Sequence, residues 1–261
     1  MTNSEYIKAI EIRRSRRAYK SKPLSDDVKS VIKEMAEAVN ELSEAKFTFV
    51  DNASPAFRLF RGRFSMLVVT GPDSQKARED AGYYGESIVL QCVYHGLGTC
   101  WVSDTYNENK VYEMVDIPKR TRLYGVIVIG NAKDSLSAIE RTMYNTTHKN
   151  PKTYQDMFEA CDAKLPEAYA YGMSLVEKAP SAVNRRPVKF RYENGVLSAR
   201  VEEPYSDKSI DCGIAKLHFL LGVRAKEVNG QWNAKNEFEE TKASILKFEN
   251  NNPDKEENKN E

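Results

Sequence analysis

Residues Arg13-Arg14-Ser15-Arg16-Arg17 set four guanidinium groups and a hydroxyl side by side. They cannot all enter an apolar core, because an unpaired buried guanidinium is costly. Two uses remain open. Cations at a helix C-terminus gain from its dipole, which makes the run a solvated helix end. Alternatively, guanidinium forks grip phosphate oxygens in pairs and Ser15 adds a donor, which makes it a phosphate clamp. A nucleic-acid grip fits less well. The run is short and lacks interleaved aromatics, and 39 Lys+Arg against 38 Asp+Glu leave a formal net charge of +1.

A second cluster, Ala179-Pro180-Ser181-Ala182-Val183-Asn184-Arg185-Arg186-Pro187, offers backbone groups, the Ser181 hydroxyl and the Asn184 amide. Such groups both donate to and accept from the edge of a planar heterocycle. The same residues also make an ordinary Pro/Asn turn with Ser181 as a cap. Other reactive residue types read as structural. His218, on an apolar helical pattern, is expected to be a satisfied core histidine, and Cys92 and Cys100 small buried hydrophobes. Trp101, Tyr83 and Tyr84 are expected to pack in the core, and Lys119-Arg120-Thr121-Arg122 to be solvated. The cysteines (Cys92, Cys100, Cys161, Cys212) form no CxxC pair and the histidines (His95, His148, His218) lie far apart. No metal set follows, and the cysteine usage fits a reducing, cytoplasmic compartment. No apolar run nears the ~18 residues that cross a bilayer. Charges from Glu5 onward leave no room for a signal peptide.

The clusters are positioned by a mixed set of elements. Tyr6, Ile7 and Ile10 share one helical face behind Ser4 as N-cap, and the arginine run follows at that helix's end. A second helix starts at Ser25, with Val28, Val31, Ile32, Met35 and Val39 as its buried stripe. Phe47 and Phe49 alternate as a strand, and Phe64 to Thr70 reads as a more buried one. Gly82 to His95 reads as a helix buried on nearly all sides and ended by Gly96 and Gly98. Leu123 to Gly130 is a β-branched run expected as a central strand. A helix begins at Pro166 and stops by Ala179, because Pro180 disfavours helix at the residue before it. Asn194-Gly195 between alternating runs marks a hairpin. Ile210, Ile214, Leu217 and Leu221 mark a last helix ended by Gly222.

A chain of 261 residues with 41 % hydrophobic content holds one large domain or two small ones. An internal echo favours two related halves. Ala38-Val39-Asn40 and Ala182-Val183-Asn184 each precede a Lys-Phe strand (Lys46-Phe47, Lys189-Phe190), and each block continues to a glycine-led helix. The expected division is a first half at 1–145, a connector at 146–165, a shorter second half at 166–248 and a disordered polar tail at 249–261.

These motifs carry a resemblance. Arg13-Arg14-Ser15-Arg16-Arg17 resembles the Arg-Arg-Ser-x-Arg element of the FMN-dependent nitroreductase family, and Pro180-Ser181-Ala182-Val183-Asn184 its Pro-Ser-x-x-Asn flavin loop. Gly82-Tyr83-Tyr84-Gly85-Glu86, Gly96-Leu97-Gly98-Thr99-Cys100-Trp101 and Asp211-Cys212-Gly213-Ile214 are similar to helices and a turn of a branch with two halves fused in one chain. The resemblance implies an α+β fold, a central, mainly antiparallel sheet flanked by helices, built as an intrachain pseudo-dimer. It implies FMN between the halves. Arg13, Arg14, Ser15 and Arg17 would hold the phosphate and pyrimidine edge, and Pro180, Ser181 and Asn184 would line the ring. Ser103 and Asp104 would face it through backbone N–H groups, and Lys133 would add a phosphate contact. NAD(P)H would be the hydride donor and a small electron acceptor the oxidant, with no acid or base residue required. Arg186-Pro187-Val188 departs from the Gln-Pro-Trp of ordinary members. That keeps a non-catalytic flavin-storage or sensing protein as the alternative. The first half lacks a Pro-Ser loop and the second lacks an arginine element, so one FMN per chain is expected, with a monomer sufficient.

Overall fold

The computed structural model describes residues 1–149 and 152–241. The first helix, α1 (Asn3–Ile12), is followed by α2 (Asp26–Leu42), β1 (Lys46–Val50) and β2 (Ser65–Gly71). Next come α3 (Gln75–Tyr94), β3 (Gly98–Val102), α4 (Glu108–Met114) and β4 (Arg122–Gly130). α5 (Ala138–Thr147), β5 (Phe158–Cys161) and α6 (Glu167–Val176) lead to the hairpin β6 (Lys189–Glu193) and β7 (Val196–Arg200). The long α7 (Lys208–Ala225) and a small hairpin, β8 (Gly230–Trp232) and β9 (Phe238–Glu240), complete the described chain.

The main sheet runs β1-β2-β4-β3 and is antiparallel throughout, so the β-branched run of β4 is central as expected. Side chains alternate across a strand, and β2 and β4 are buried on both faces. Leu67, Val69, Ile127 and Ile129 face a core shared with α1, α2, α3 and α7. Met66, Val68, Val126 and Val128 face the opposite way, onto Tyr19, Phe57, Phe60 and Phe64. A second sheet pairs β5 parallel to β6 and β6 antiparallel to β7. Its turn, Asn194 at φ 52° and Gly195 at φ 79°, has the double left-handed geometry that Asn-Gly favours.

α7 joins the two cores. The expected stripe of Ile210, Ile214, Leu217 and Leu221 meets the first core. A second face, Cys212, Ala215, Phe219 and Val223, meets the second. Against α3 the crossing is reciprocal and very close. A Cβ on Gly82 would lie 1.9 Å from the Ile210 carbonyl oxygen, and one on Gly213 would lie 1.9 Å from that of Glu79. Each glycine thus opposes the residue three before the other, and only the lack of a Cβ lets the backbones meet.

Several expectations are corrected. α1 begins at Asn3 with Thr2, not Ser4, as its cap. Thr2 and Glu5 form a reciprocal capping box that Ser4 cannot build with Ile7. α3 starts at Gln75, about two turns before Gly82, and Gly98 opens β3 instead of closing the helix. Gly222 does not end α7. A Cβ there would lie 2.5 Å from the Gly172 Cα, so this glycine serves the packing of α6 on α7. The 146–165 segment contributes β5 to the second sheet, and the hairpin of β8 and β9 had no clear sequence signal. The expected tail at 249–261 lies outside the described residues. No helix among the described residues is long and apolar enough to cross a membrane.

Candidate functional site

The arginine run is not a solvated helix end. α1 stops at Ile12, Arg13 turns to extended geometry (φ −56°, ψ 131°), and residues 15–19 run along the sheet edge. The Arg16 N–H donates to the Thr99 carbonyl at 2.8 Å, and Tyr19 N–H to that of Arg61 at 2.8 Å. Glu140 on α5 holds the run from below. Its Oε1 accepts from the N–H groups of Arg17 (2.6 Å) and Ala18 (3.2 Å) and from Arg16 Nε (3.1 Å). Its Oε2 accepts from the Ser137 N–H at 2.7 Å. Burial alone would raise this carboxyl, but the hydrogen bonds from Arg17 and Ser137 outweigh it and hold the pKa to about 2.

The four arginines therefore divide. Arg16 is structural, paired with Glu140 and donating to the carbonyls of Lys133 and Ser135. Arg13 is pulled inward, its Nε 3.9 Å from Glu86 Oε1 and without a hydrogen-bond partner among the described residues. Glu86 is fully buried on α3. It accepts from Trp101 Nε1 at 2.8 Å and faces His218 Nε2 at 3.2 Å. His218 Nδ1 lies 3.0 Å from the Leu175 carbonyl, which can only accept, so that nitrogen carries a proton. His218 is thus the satisfied core histidine expected. Arg14 donates only to the backbone carbonyls of Glu11 and Arg13, and Arg17 lies over the Phe60 ring at 5.9 Å. Among the described residues no carboxylate comes within ion-pair distance of Arg14 or Arg17.

The Pro-Ser segment forms the facing wall. Ala182–Asn184 is a single 3-10 turn with Val183 at φ 47° and Asn184 at φ 56°, and Arg186 follows at φ 45°. Left-handed geometry is a genuine outlier for a β-branched residue and costs of order 1–3 kcal/mol. Its surroundings enforce it. Ser181 Oγ accepts from the Arg186 N–H (3.0 Å), and Asn184 Nδ2 donates to the Thr147 carbonyl (3.0 Å). Asp211 of α7 accepts from the Ala182 N–H (3.3 Å) and from Arg185 Nε (3.3 Å). Burial pushes the Asp211 carboxyl up to about 7, against the opposing pull of Arg185 and the Ala182 N–H.

Two clefts open between these walls. One, of about 350 Å³, is lined by Arg13, Arg14, Arg17, Pro180, Asn184 and Arg186 among others. The other, of about 210 Å³, lies against Trp101, Ser103, Asp104, Gly125, Ile210 and Asp211. Ser15, Arg17, Pro180, Ser181 and Val183 line both, so the clefts adjoin. Their chemistry differs. The larger sets Arg13, Arg14, Arg17, Lys178 and Arg186 against the carboxylates Glu11, Glu140 and Glu177, an excess of cations that suits an anion. The smaller has Val102, Tyr124, Ile210 and Ile214 as apolar walls and the carboxylates Asp104, Asp207 and Asp211, which disfavour one. Ser181 accepts one hydrogen bond in the wall and keeps its own O–H for a ligand.

Of the residues read from the sequence, Arg13, Arg14, Ser15, Arg17, Ser103, Asp104, Pro180, Ser181 and Asn184 all line one or both clefts. Lys133 does not. Its side chain is exposed and only its backbone meets the arginine segment, donating to the Ala18 carbonyl and accepting from Arg16. Trp101, expected in the core, packs on Gly85 and also lines the smaller cleft. Sequence reasoning gave no role to Glu140, Glu86 or Asp211, and marked Arg186 only as a departure from Gln-Pro-Trp. Only Glu140 had a local signal, the capping box Ser137-x-x-Glu140.

No curated protein matches the chain. Among solved structures, one from Thermotoga maritima described as a "putative nitroreductase" aligns at 23 % identity and a TM-score of 0.59, covering 91 % of this chain and 94 % of that one. An FMN-dependent nitroreductase from Clostridium difficile is 21 % identical with a TM-score of 0.41, covering 55 % of this chain and 98 % of that one. A nitroreductase with bound FMN from Desulfitobacterium hafniense is 18 % identical with a TM-score of 0.41, covering 52 % and 92 %. The family model described as "Putative TM nitroreductase" matches residues 5–223, and the chain belongs to that nitroreductase family.

Proposed function

We propose that this protein is an FMN-dependent oxidoreductase that takes hydride from NAD(P)H and passes it to a small acceptor such as a nitroaromatic or a quinone, in a ping-pong sequence. The observation that carries this reading is the junction of the two clefts, where arginines at an anion-binding end meet a slot with apolar walls across Ser15, Arg17, Pro180, Ser181 and Val183. The donor set fits a phosphorylated planar heterocycle. Arg14 and Arg17, with no carboxylate of their own, would hold the phosphate. Ser15, Ser181 and the backbone beside Ser103 would meet the polar edge of the ring, and Pro180 with Trp101 would bound its faces. Bound FMN supplies the capacity to accept and return a hydride. The chain's residues bind and orient it. Asn184, pinned to α5, keeps the Pro-Ser wall at the cleft.

The reading extends to the two-half arrangement. The order α2, β1, β2, α3 parallels α6, β6, β7, α7, and the reciprocal Gly82 and Gly213 contact is what a two-fold-related helix pair would make. The halves would act as a fused pseudo-dimer with one FMN per monomer, the arginine wall coming from one half and the Pro-Ser wall from the other.

Visible spectra of the purified protein test this. Expected are FMN uptake at one per chain in a monomer, bleaching on anaerobic NAD(P)H addition and recolouring with an acceptor. Arg17→Ala is expected to weaken FMN by at least about tenfold and riboflavin less. Bound FMN that neither nicotinamide reduces would favour the storage or sensing alternative. No FMN binding would overturn the reading.

A further inference from the structure

Two adjacent arginines in the Pro-Ser wall have opposite fates. Arg185 is paired, with Asp207 at 2.9 Å and with Asp211 at 3.2 Å. Arg186 has no carboxylate within ion-pair distance among the described residues. It donates to the Glu177 carbonyl at 2.5 Å, and its Nε is buried without a hydrogen-bond partner. Burial lowers its pKa, against the opposing pull of the Glu177 carboxylate. Its backbone sits at φ 45°, held there by the Ser181 hydroxyl through the Arg186 N–H. A strained backbone that presents a half-buried, unpaired guanidinium is unfavourable on both counts unless an anion completes the site.

The cleft that Arg186 lines supplies the place. Arg14 and Arg17 reach it from the arginine segment, also without ion-pair partners among the described residues, while of the lining carboxylates Glu11 is paired with Lys178, Glu140 with Arg16, and Glu177 accepts from the Tyr154 N–H. Arg186 is the one such cation on the Pro-Ser wall of this cleft. It stands where the resemblance calls for a neutral glutamine.

We propose that Arg186 is a phosphate-binding residue that, opposite Arg14 and Arg17, completes a site for a phosphate monoester, the terminal phosphate of the cofactor. The Pro-Ser wall then holds the charged end of the ligand as well as its ring. A guanidinium fork suits this because it meets two phosphate oxygens at once, as an amide cannot. The identity of the phosphate's bearer rests on the flavin reading; the anion site itself does not.

The experiment compares FMN with riboflavin in the wild-type, Arg186→Gln and Arg186→Lys proteins, by fluorescence titration of flavin-stripped full-length chain. The expected result is a drop of about tenfold in the FMN-to-riboflavin affinity ratio for Arg186→Gln, with riboflavin affinity unchanged. Arg186→Lys keeps the charge without the fork and should fall between. An unchanged ratio in Arg186→Gln overturns the proposal. If wild type binds neither flavin, the flavin reading fails, and thermal stabilisation by inorganic phosphate at constant ionic strength still judges the site. Loss of that stabilisation in Arg186→Gln supports it, and retention overturns it.

Discussion

Replacing Asp211 by Asn tests whether burial or ion pairing governs the carboxylate beneath the Pro-Ser wall. Asp211 is 7 % exposed, and Arg185 divides its guanidinium between Asp211 and Asp207. Burial accordingly dominates and raises the folded-state pKa from 3.8 to about 7. The sign follows from proton counting. Between these values the folded chain keeps a proton that the unfolded chain has released, so stability falls as pH rises through this window. The steepest slope is about 1.4 kcal/mol per pH unit. Three units set a ceiling of about 4 kcal/mol on what ionised Asp211 withdraws above pH 7. Near pH 4, at the low end of this window, Asp211 is neutral when folded and only partly ionised when unfolded, and Asn is close to isosteric, so the variant should nearly match wild type there. By pH 8 Asn should be more stable by up to a few kcal/mol, less about 1–3 kcal/mol for weakened hydrogen bonds from Ala182 and Arg185. Urea midpoints of the flavin-free proteins at pH steps from 4 to 8 give the difference directly, and the other titrating groups cancel in it. If wild type gains on Asp211→Asn as pH rises, the Arg185 pair has won and the reasoning is wrong.

Three further outcomes are expected. Glu140→Ala should cost about 3–5 kcal/mol in denaturant unfolding, because it leaves Arg16 buried without its partner. With its folded pKa near 2, below the ordinary 4.5, Glu140 contributes stability above about pH 4.5 that is lost as pH falls toward 2, and Glu140→Gln should flatten that acid limb. Val183→Gly should stabilise the fold by roughly 1 kcal/mol, read as a raised melting temperature. The side chain is 77 % exposed, and relief of strain at φ 47° exceeds the added backbone entropy. Gly213→Ala should destabilise by more than the usual ~1–3 kcal/mol of overpacking or prevent folding, since the new Cβ meets a backbone oxygen on α3.

The parts legible in the sequence were those written in local chemistry. The β4 run, the Asn194-Gly195 turn and the stripe of α7 each follow from a few neighbouring residues, and each is found in the structure. The arginine and Pro-Ser motifs were legible as types, and the structure brings their residues to adjoining clefts. What escaped depends on distant pairing. Glu86 meets Trp101 fifteen residues on and His218 at a separation of 132, while Glu140 meets Arg16 across 124. No local spacing encodes such partners. Lys133 illustrates the converse, because a cation close in space to the arginine segment still turns to solvent when its backbone is what the fold uses. Gly222 shows how one residue type serves two purposes. A glycine after an apolar stripe reads as a helix end, yet here it lets α6 approach α7.

The two walls of the site are each fastened by one buried carboxylate, and the two titrate in opposite directions. Glu140 receives N–H groups from three backbone positions and one guanidinium, so its charge is solvated by the protein and persists down to about pH 2. Asp211 receives one long backbone bond and a shared arginine, so its charge is poorly solvated and is half lost near pH 7. The arginine wall therefore keeps its fastening wherever the protein is folded. The Pro-Ser wall, which carries the strained residues Val183, Asn184 and Arg186, changes its fastening within the neutral range. Of the two, the Pro-Ser wall has the smaller margin, and a ligand that bridges both clefts would stabilise it the more.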